Sequence, residues 1–93
     1  MYTVLLEKRY SKQLRKLVSQ KNFDFPLLLK VIKLLANGET LPAKYKDHAL
    51  KGSLADYREL HVKHDLLLVY YKNETELMLV LVEVGTHGSL FGK

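Results

Sequence analysis

The spacing of apolar residues changes along this chain, and each change marks an element. Residues 2–6 alternate and favour an extended strand. From about residue 7 to 20 the spacing becomes helical, with Tyr10, Leu14, Leu17 and Val18 on one face and the cations elsewhere. Asp24 and Pro26 supply the start of a second helix and Gly38 its stop, and Leu28, Val31, Ile32 and Leu35 form its main stripe. Leu27, Leu29 and Leu34 widen that stripe beyond one face. The polar segment 39–53, with Pro42 and Gly52, predicts a loop. Strands then follow over about 56–62, 66–72 and 77–84, with turns at 63–65 and 73–76. The predicted order is β-α-α-β-β-β, and no linker, repeat or low-complexity stretch interrupts it.

Short turns make the last strands an antiparallel meander, so the fold class is α+β, with a helical hairpin covering one face of the sheet. Yet 66–71 and 77–84 are apolar on both sides of the pleat. Either the tail and a partner bury the second face, or the chain self-associates. Scattered apolar residues on an exposed face are the plain alternative.

An apolar fraction of 47% excludes a disordered chain, and 93 residues suffice for a single domain, 1–93, with one modest core. The longest apolar runs, 66–71 and 77–82, are far too short to span a bilayer, so no membrane association is expected. Without cysteine there is no disulfide framework, and the first residues lack the pattern of a secretory signal; a reducing cytoplasm is the expected location. The formal charge of +5 is unevenly placed. Residues 1–21 carry Lys8, Arg9, Lys12, Arg15, Lys16 and Lys21 against Glu7 alone, whereas carboxylates outnumber Lys and Arg six to four from residue 55 onward. A clustered basic surface favours a polyanion such as RNA, DNA or the ribosome, and a merely solvated basic helix is the alternative.

In so small a domain, a site must draw on segments far apart in sequence. His48, His61 and His87 each fall in a short polar segment beside cations or carboxylates. Imidazole takes or gives a proton near neutrality, which is the chemistry needed to cut a phosphodiester without a metal. Strand alternation sends Tyr57, Glu59 and His61 to one face and Arg58, Leu60 and Val62 to the other. If Leu60 and Val62 meet the helices, Glu59 and His61 face outward together. Asp65 lies in the turn that ends this strand and His48 in the loop that enters it, while the tail from Gly85 can bring His87 and Phe91 over the same face. Such convergence supplies proton-transfer groups, a carboxylate to orient an imidazole, and an aromatic platform for a base.

Each residue also has a bland reading. His48 beside Asp47 can cap a turn, His61 can be a satisfied strand histidine, Asp65 is a good turn residue, and Phe91 can plug a small core. A zinc site is disfavoured, because the chain has neither His-x-x-x-His on a helix nor a cysteine pair. No cofactor is expected.

The run Tyr45-Lys46-Asp47-His48-Ala49-Leu50-Lys51-Gly52-Ser53, then Tyr57-Arg58-Glu59-Leu60-His61-Val62-Lys63-His64-Asp65, then Leu67-Leu68-Val69-Tyr70, and finally Gly85-Thr86-His87-Gly88-Ser89-Leu90-Phe91 resemble the YafQ family of toxins. That family is a branch of the RelE/ParE superfamily in type II toxin–antitoxin systems. The helical half agrees in length, pattern and its Tyr10-Ser11-Lys12 start. The resemblance implies a RelE-like fold, a helical hairpin on one face of a mainly antiparallel four-stranded sheet. It also implies a ribosome-dependent endoribonuclease that cuts mRNA in the A site and is neutralised by an antitoxin from a neighbouring gene. Operator DNA would be reached only through the antitoxin complex.

By the same resemblance the catalytic pattern falls on His48, His61, Asp65 and His87, with Phe91 and the cations Arg58, Lys46 and Lys51 holding RNA. His87 is expected as general acid, His48 or His61 as base, and Asp65 as an assistant by orientation or proton transfer. Lys8, Arg9, Lys12, Arg15 and Lys16 are the expected ribosome-facing cations. Val84 stands where many members carry an arginine, which shifts phosphate bracing to Arg58 or a lysine. Leu54 and Leu66 stand where aromatic residues are frequent, and Glu59 where aspartate is usual. The rival readings are a ParE-like gyrase inhibitor, which should lack the clustered histidines, and a non-catalytic partner-binding module of the same fold.

Overall fold

The computed structural model describes residues 1–91, apart from the side chain of Phe91. Strand β1 (Thr3–Leu6) leads into helix α1 (Lys8–Val18), and helix α2 (Phe25–Ala36) follows. Then come β2 (His48–Ala49), β3 (Arg58–Lys63), β4 (Leu66–Asn73), β5 (Met78–Gly85) and a last helical turn, α3 (His87–Phe91). Short 3-10 turns at Ala43–Tyr45 and Gly52–Leu54 flank β2.

The helix signals act as the sequence predicts. The Asp24 carboxylate accepts the Leu27 N–H at 3.0 Å, capping α2 beside Pro26. At the other end Gly38 takes a left-handed φ of +75°, and the N–H groups of Gly38 and Glu39 donate to the carbonyls of Leu35 and Leu34. That Schellman closure needs a residue free to adopt positive φ. Helix α1 is shorter than expected and buries Tyr10 and Leu17, whereas Val18 is 52% exposed. Val18 follows Leu17 by one position, about 100° around the helix, and so leaves the buried stripe.

The sheet has five strands in the order β1-β5-β4-β3-β2 rather than the expected four. The addition is β2, where only His48 and Ala49 pair with β3, a span too short to show any periodicity. Strands β3, β4 and β5 form the antiparallel meander, and β1 lies parallel to β5. Leu28, Val31 and Leu35 of α2, with Tyr10 and Leu17 of α1, pack on Leu60, Val62, Leu68, Tyr70, Leu79, Leu81 and Val84.

The alternate residues Leu67, Val69 and Val80 are also buried, without any partner chain. Helix α3 packs on β5, and the loop between β2 and β3 closes with Leu50 N–H donating to Tyr57 O at 2.9 Å. The Tyr57 and Tyr71 rings meet edge to face at 5.4 Å. Much of the second face is therefore covered by the chain itself: the tail packs there as expected, and Leu67, Val69 and Val80 are buried without the further partner or second copy that the sequence reading called for. Apolar surface stays open on edge strand β1, where Leu5 and Leu6 are 42% and 54% exposed, at Leu54 of the loop, and at Val18, Phe25, Leu29 and Leu77. Among the described residues no helix is long and apolar enough to cross a membrane.

Burial pushes the Tyr10 phenol up from 10.0 to about 12. The unfolded chain releases this proton near pH 10 while the folded chain holds it, so the stabilisation is complete below pH 10 and fades as pH climbs toward 12. The loss amounts to about 3 kcal/mol. Melting temperature should fall across this window, and Tyr10→Phe should flatten the fall. An unchanged alkaline slope in that variant would contradict the assignment.

Candidate active site

Strand β3 sorts its side chains as alternation requires: Leu60 and Val62 enter the core, and Glu59 and His61 share the opposite face. His48 pairs across from Glu59 on β2, which places its Nε2 3.3 Å from Glu59 Oε1. On the other edge of the ring, Nδ1 lies 2.6 Å from the carbonyl oxygen of Lys46. A carbonyl oxygen only accepts, so Nδ1 carries the proton in this contact. Lys46 is one of the few non-glycine residues at positive φ, 51°, and this left-handed turn aims its carbonyl at the residue two places on.

Between them, Asp47 faces the helix side. Its Oδ1 accepts from Tyr70 Oη at 2.8 Å and from Arg58 Nε at 3.2 Å. Burial first, and then the hydrogen bond to the Asp47 carboxylate, push the Tyr70 phenol far above its ordinary value. Burial works against the Arg58 charge, but Tyr70 and Asp47 outweigh it and the guanidinium titrates above its usual value. Asp47 thus anchors the loop on one side of the sheet while His48 is presented on the other. Arg58, expected to brace phosphate, is not brought to the imidazoles; strand alternation puts it on the face opposite Glu59 and His61, in an ion pair.

Register relates the remaining groups. His61 pairs with Leu67, and Leu67 pairs with Gly85, so His61 and the residue before Thr86 sit two strands apart in one row. That separation is roughly 10 Å. The row containing His48, Glu59 and Val69 lies two residues away, about 7 Å along the strands. Asp65, in the turn after β3, accepts the backbone N–H of His87 on Oδ1 at 3.3 Å. This bond ties the turn to the first residue of α3. Thr86 caps α3, accepting the Ser89 N–H on its hydroxyl at 3.1 Å. A Cβ on Gly85 would come within 2.6 Å of Ser89 Oγ, so the glycine lets α3 fold down against β5.

The half-buried His61 side chain makes no hydrogen bond among the described residues, and it lines a recess of about 350 Å³ at the open edge of β3. Lys44, Lys46, Lys63 and His64 share that recess. Lys46 therefore lies beside His61, Lys44 and Lys63 are basic neighbours that the sequence reading did not single out, and His64 is the solvent-exposed turn residue it suggested. Lys51 is exposed just before the second 3-10 turn. Lys8, Arg9, Lys12, Arg15 and Lys16 are all exposed on α1, and Arg9 also reaches Glu83 at 3.4 Å. The Phe91 side chain, expected as a base platform, lies outside the described residues.

Glu59, which strand alternation puts beside His61, is engaged with the His48 imidazole, and the family pattern had assigned it no site role. Its residue is 6% exposed, and Oε2 is buried without a hydrogen-bond partner. The sequence signal was available: Glu59 alternates with Leu60 on a strand leading to His61. Among the described residues no group of three or more His, Asp or Glu side chains is placed to hold a metal ion.

Comparison with known proteins agrees with this architecture. A family profile described as "Bacterial toxin of type II toxin-antitoxin system, YafQ" matches residues 2–92. The mRNA interferase toxin YafQ of Escherichia coli K12 is 41% identical over 85 residues, covering 90% of this chain and 89% of that protein. A metal-bound toxin from Helicobacter pylori is 48% identical and superposes with a TM-score of 0.90, over 98% of this chain and all (100%) of the other. YafQ in the E. coli DinJ–YafQ complex gives a TM-score of 0.85 at 34% identity, over 99% of this chain and 100% of that one. With sequence and fold in agreement over nearly the whole chain, it belongs to the YafQ family of bacterial toxins of type II toxin–antitoxin systems.

Proposed function

We propose that this toxin is a ribosome-dependent endoribonuclease of the cytoplasm that cuts mRNA in the A site by acid–base chemistry without a metal. The observation that carries the reading is the His48–Glu59 pair and His61 on one face of β3, a lysine-lined recess at the strand edge beside His61, and His87 tethered to Asp65. The E. coli relative named as an mRNA interferase supports the substrate class, and the DinJ–YafQ complex supports an antitoxin partner. Operator DNA is reached through that partner.

The chemistry is an internal transfer. His48 or His61 takes the proton of a 2′-hydroxyl, and the freed oxygen attacks the adjacent phosphorus. The O2′–P bond forms and the P–O5′ bond breaks, and the departing O5′ takes a proton from His87. Lys46, and Lys51 at the loop, stabilise the charge that gathers on the phosphoryl oxygens. Asp65 acts by holding the start of α3.

Ribosomes carrying a defined mRNA test this directly. The upstream fragment should end in a 2′,3′-cyclic phosphate and the downstream one should begin with a 5′-hydroxyl; a 3′-hydroxyl and 5′-phosphate would contradict attack by the 2′-oxygen. Asp65 separates orientation from proton transfer. Asp65→Asn keeps an oxygen to accept the His87 N–H and should retain cleavage within about tenfold, whereas Asp65→Ala should lose about a hundredfold. Equal losses in both would assign Asp65 a proton-transfer role instead.

A further inference from the structure

We propose that the recess at the open edge of β3 seats the mRNA phosphate just 5′ of the cut, the one preceding the nucleotide that carries the attacking 2′-hydroxyl, and that Lys44 and Lys63 hold it. The inference rests on the proposed acid–base cleavage and adds a substrate contact to it.

Two separate segments bring the cations together. The 3-10 turn at Ala43–Tyr45 packs on β3 and buries Tyr45, and Lys44 lays its Nζ over the Tyr45 ring, 5.3 Å from the centroid. That contact holds the ammonium beside the recess. Lys63 comes from the end of β3, where His61 stands opposite Leu67 and Lys63 opposite Leu66, so the strand carries one extra residue between them. Such a bulge bends the strand and re-aims a side chain, and Lys63 lines the recess together with His61.

Nothing in the chain answers these charges. No carboxylate lines the recess, and among the described residues Lys44, Lys46 and Lys63 make no ion pair. Arg58, on the other face, is already held by Asp47. Like charges gathered around one opening repel each other, and a bound anion relieves that repulsion.

The sheet order selects which phosphate. Both candidate bases, His48 and His61, stand on β2 and β3, whereas Gly85, which leads to His87, stands two strands inward from β3 on β5. In the proposed reaction the base serves the 2′-hydroxyl, on the 5′ side of the scissile phosphorus, and His87 serves the O5′ on its 3′ side. The message therefore runs with its 5′ end toward β2 and β3. The recess, on the outer edge beside His61, meets the chain just 5′ of the cut, and Lys46 is left to the scissile phosphoryl group.

Messages with a single uncharged methylphosphonate linkage test this in single-turnover cleavage on programmed ribosomes at subsaturating toxin. The sugar before each altered position is 2′-deoxy in every message compared, which keeps the linkage stable. Neutralising the phosphate 5′ of the cleaved nucleotide should slow the wild-type chain about tenfold, and neutralising the one 3′ of the cut linkage less than about twofold. The double variant Lys44→Gln, Lys63→Gln should cut the fully charged message about tenfold more slowly. It should respond to 5′ neutralisation by less than about twofold, because the contact is already gone. Both side chains are exposed, so its melting temperature should stay within a few degrees. Its affinity for ribosomes whose message ends before the A site should stay within about twofold. Equal responses of the two chains to 5′ neutralisation, or a larger response at the 3′ linkage, would overturn the assignment. So would a loss of affinity for ribosomes with the empty A site, which would give the recess to ribosomal RNA. Normal cleavage by the variant with loss of antitoxin binding would also overturn it. In each of these the wild-type chain still cuts, and the cleavage reading stands. A wild-type chain that cuts no message would overturn the two together.

Discussion

Replacing His87 with alanine should abolish message cleavage and growth arrest while the protein stays folded. General acid–base groups contribute on the order of 10²–10⁴-fold to rate, and loss of the group that protonates the departing O5′ should fall in that range. The imidazole sits on the first residue of α3, exposed, and its backbone N–H is held by Asp65 at 3.3 Å. That bond uses only the main chain and survives the substitution. Exposed side chains usually change stability by less than about 0.5 kcal/mol, which in a domain this size moves the melting temperature by only a few degrees. Rates on programmed ribosomes and melting curves of both forms check the expectation together. A variant as toxic as wild type at equal expression would remove His87 from the chemistry.

The second large effect belongs to α1. Lys12, Arg15 and Lys16 are exposed, and they lie away from the buried Tyr10 and Leu17. Reversing all three to glutamate leaves the Arg9–Glu83 contact and the core untouched. If these cations meet ribosomal RNA phosphates, the variant should bind ribosomes on the order of 100-fold more weakly at low salt. The steepness of log affinity against log salt should also drop by about 2–3, because fewer counterions are released on binding. Co-sedimentation at several salt concentrations measures both quantities. Unchanged affinity and slope would show that the α1 cations are only solvated.

The hydrophobic stripes carried most of the fold. Leu28, Val31 and Leu35, with the alternating Leu60 and Val62, name the core and fix which face of β3 is left for Glu59 and His61. The Gly38 stop and the Asp24 start are local chemistry, and local chemistry is legible. What the sequence hid depends on pairing between distant segments. The two residues of β2 have no period of their own, yet they decide that His48 meets Glu59. The family resemblance made Arg58 a phosphate ligand, but Asp47, 11 residues away, binds it, and the same carboxylate binds Tyr70, 23 residues from Asp47. The lysines of the recess beside His61 come from both ends of the loop–strand unit, and only the fold places them together. The two-faced apolar strands signalled that Leu67, Val69 and Val80 need cover, but not that the chain alone supplies it, since that depends on how the chain folds back over the second face.

The central claim is that this toxin stops growth by cutting messages while they are being translated. Primer extension on one reporter message, after induced expression of the wild-type chain, tests it most directly when the same reporter is also made without a start codon. The account predicts discrete new 5′ ends within the coding region of the translated message, their absence from the untranslated one, and their loss in His87→Ala. Growth arrest with both messages intact would contradict it.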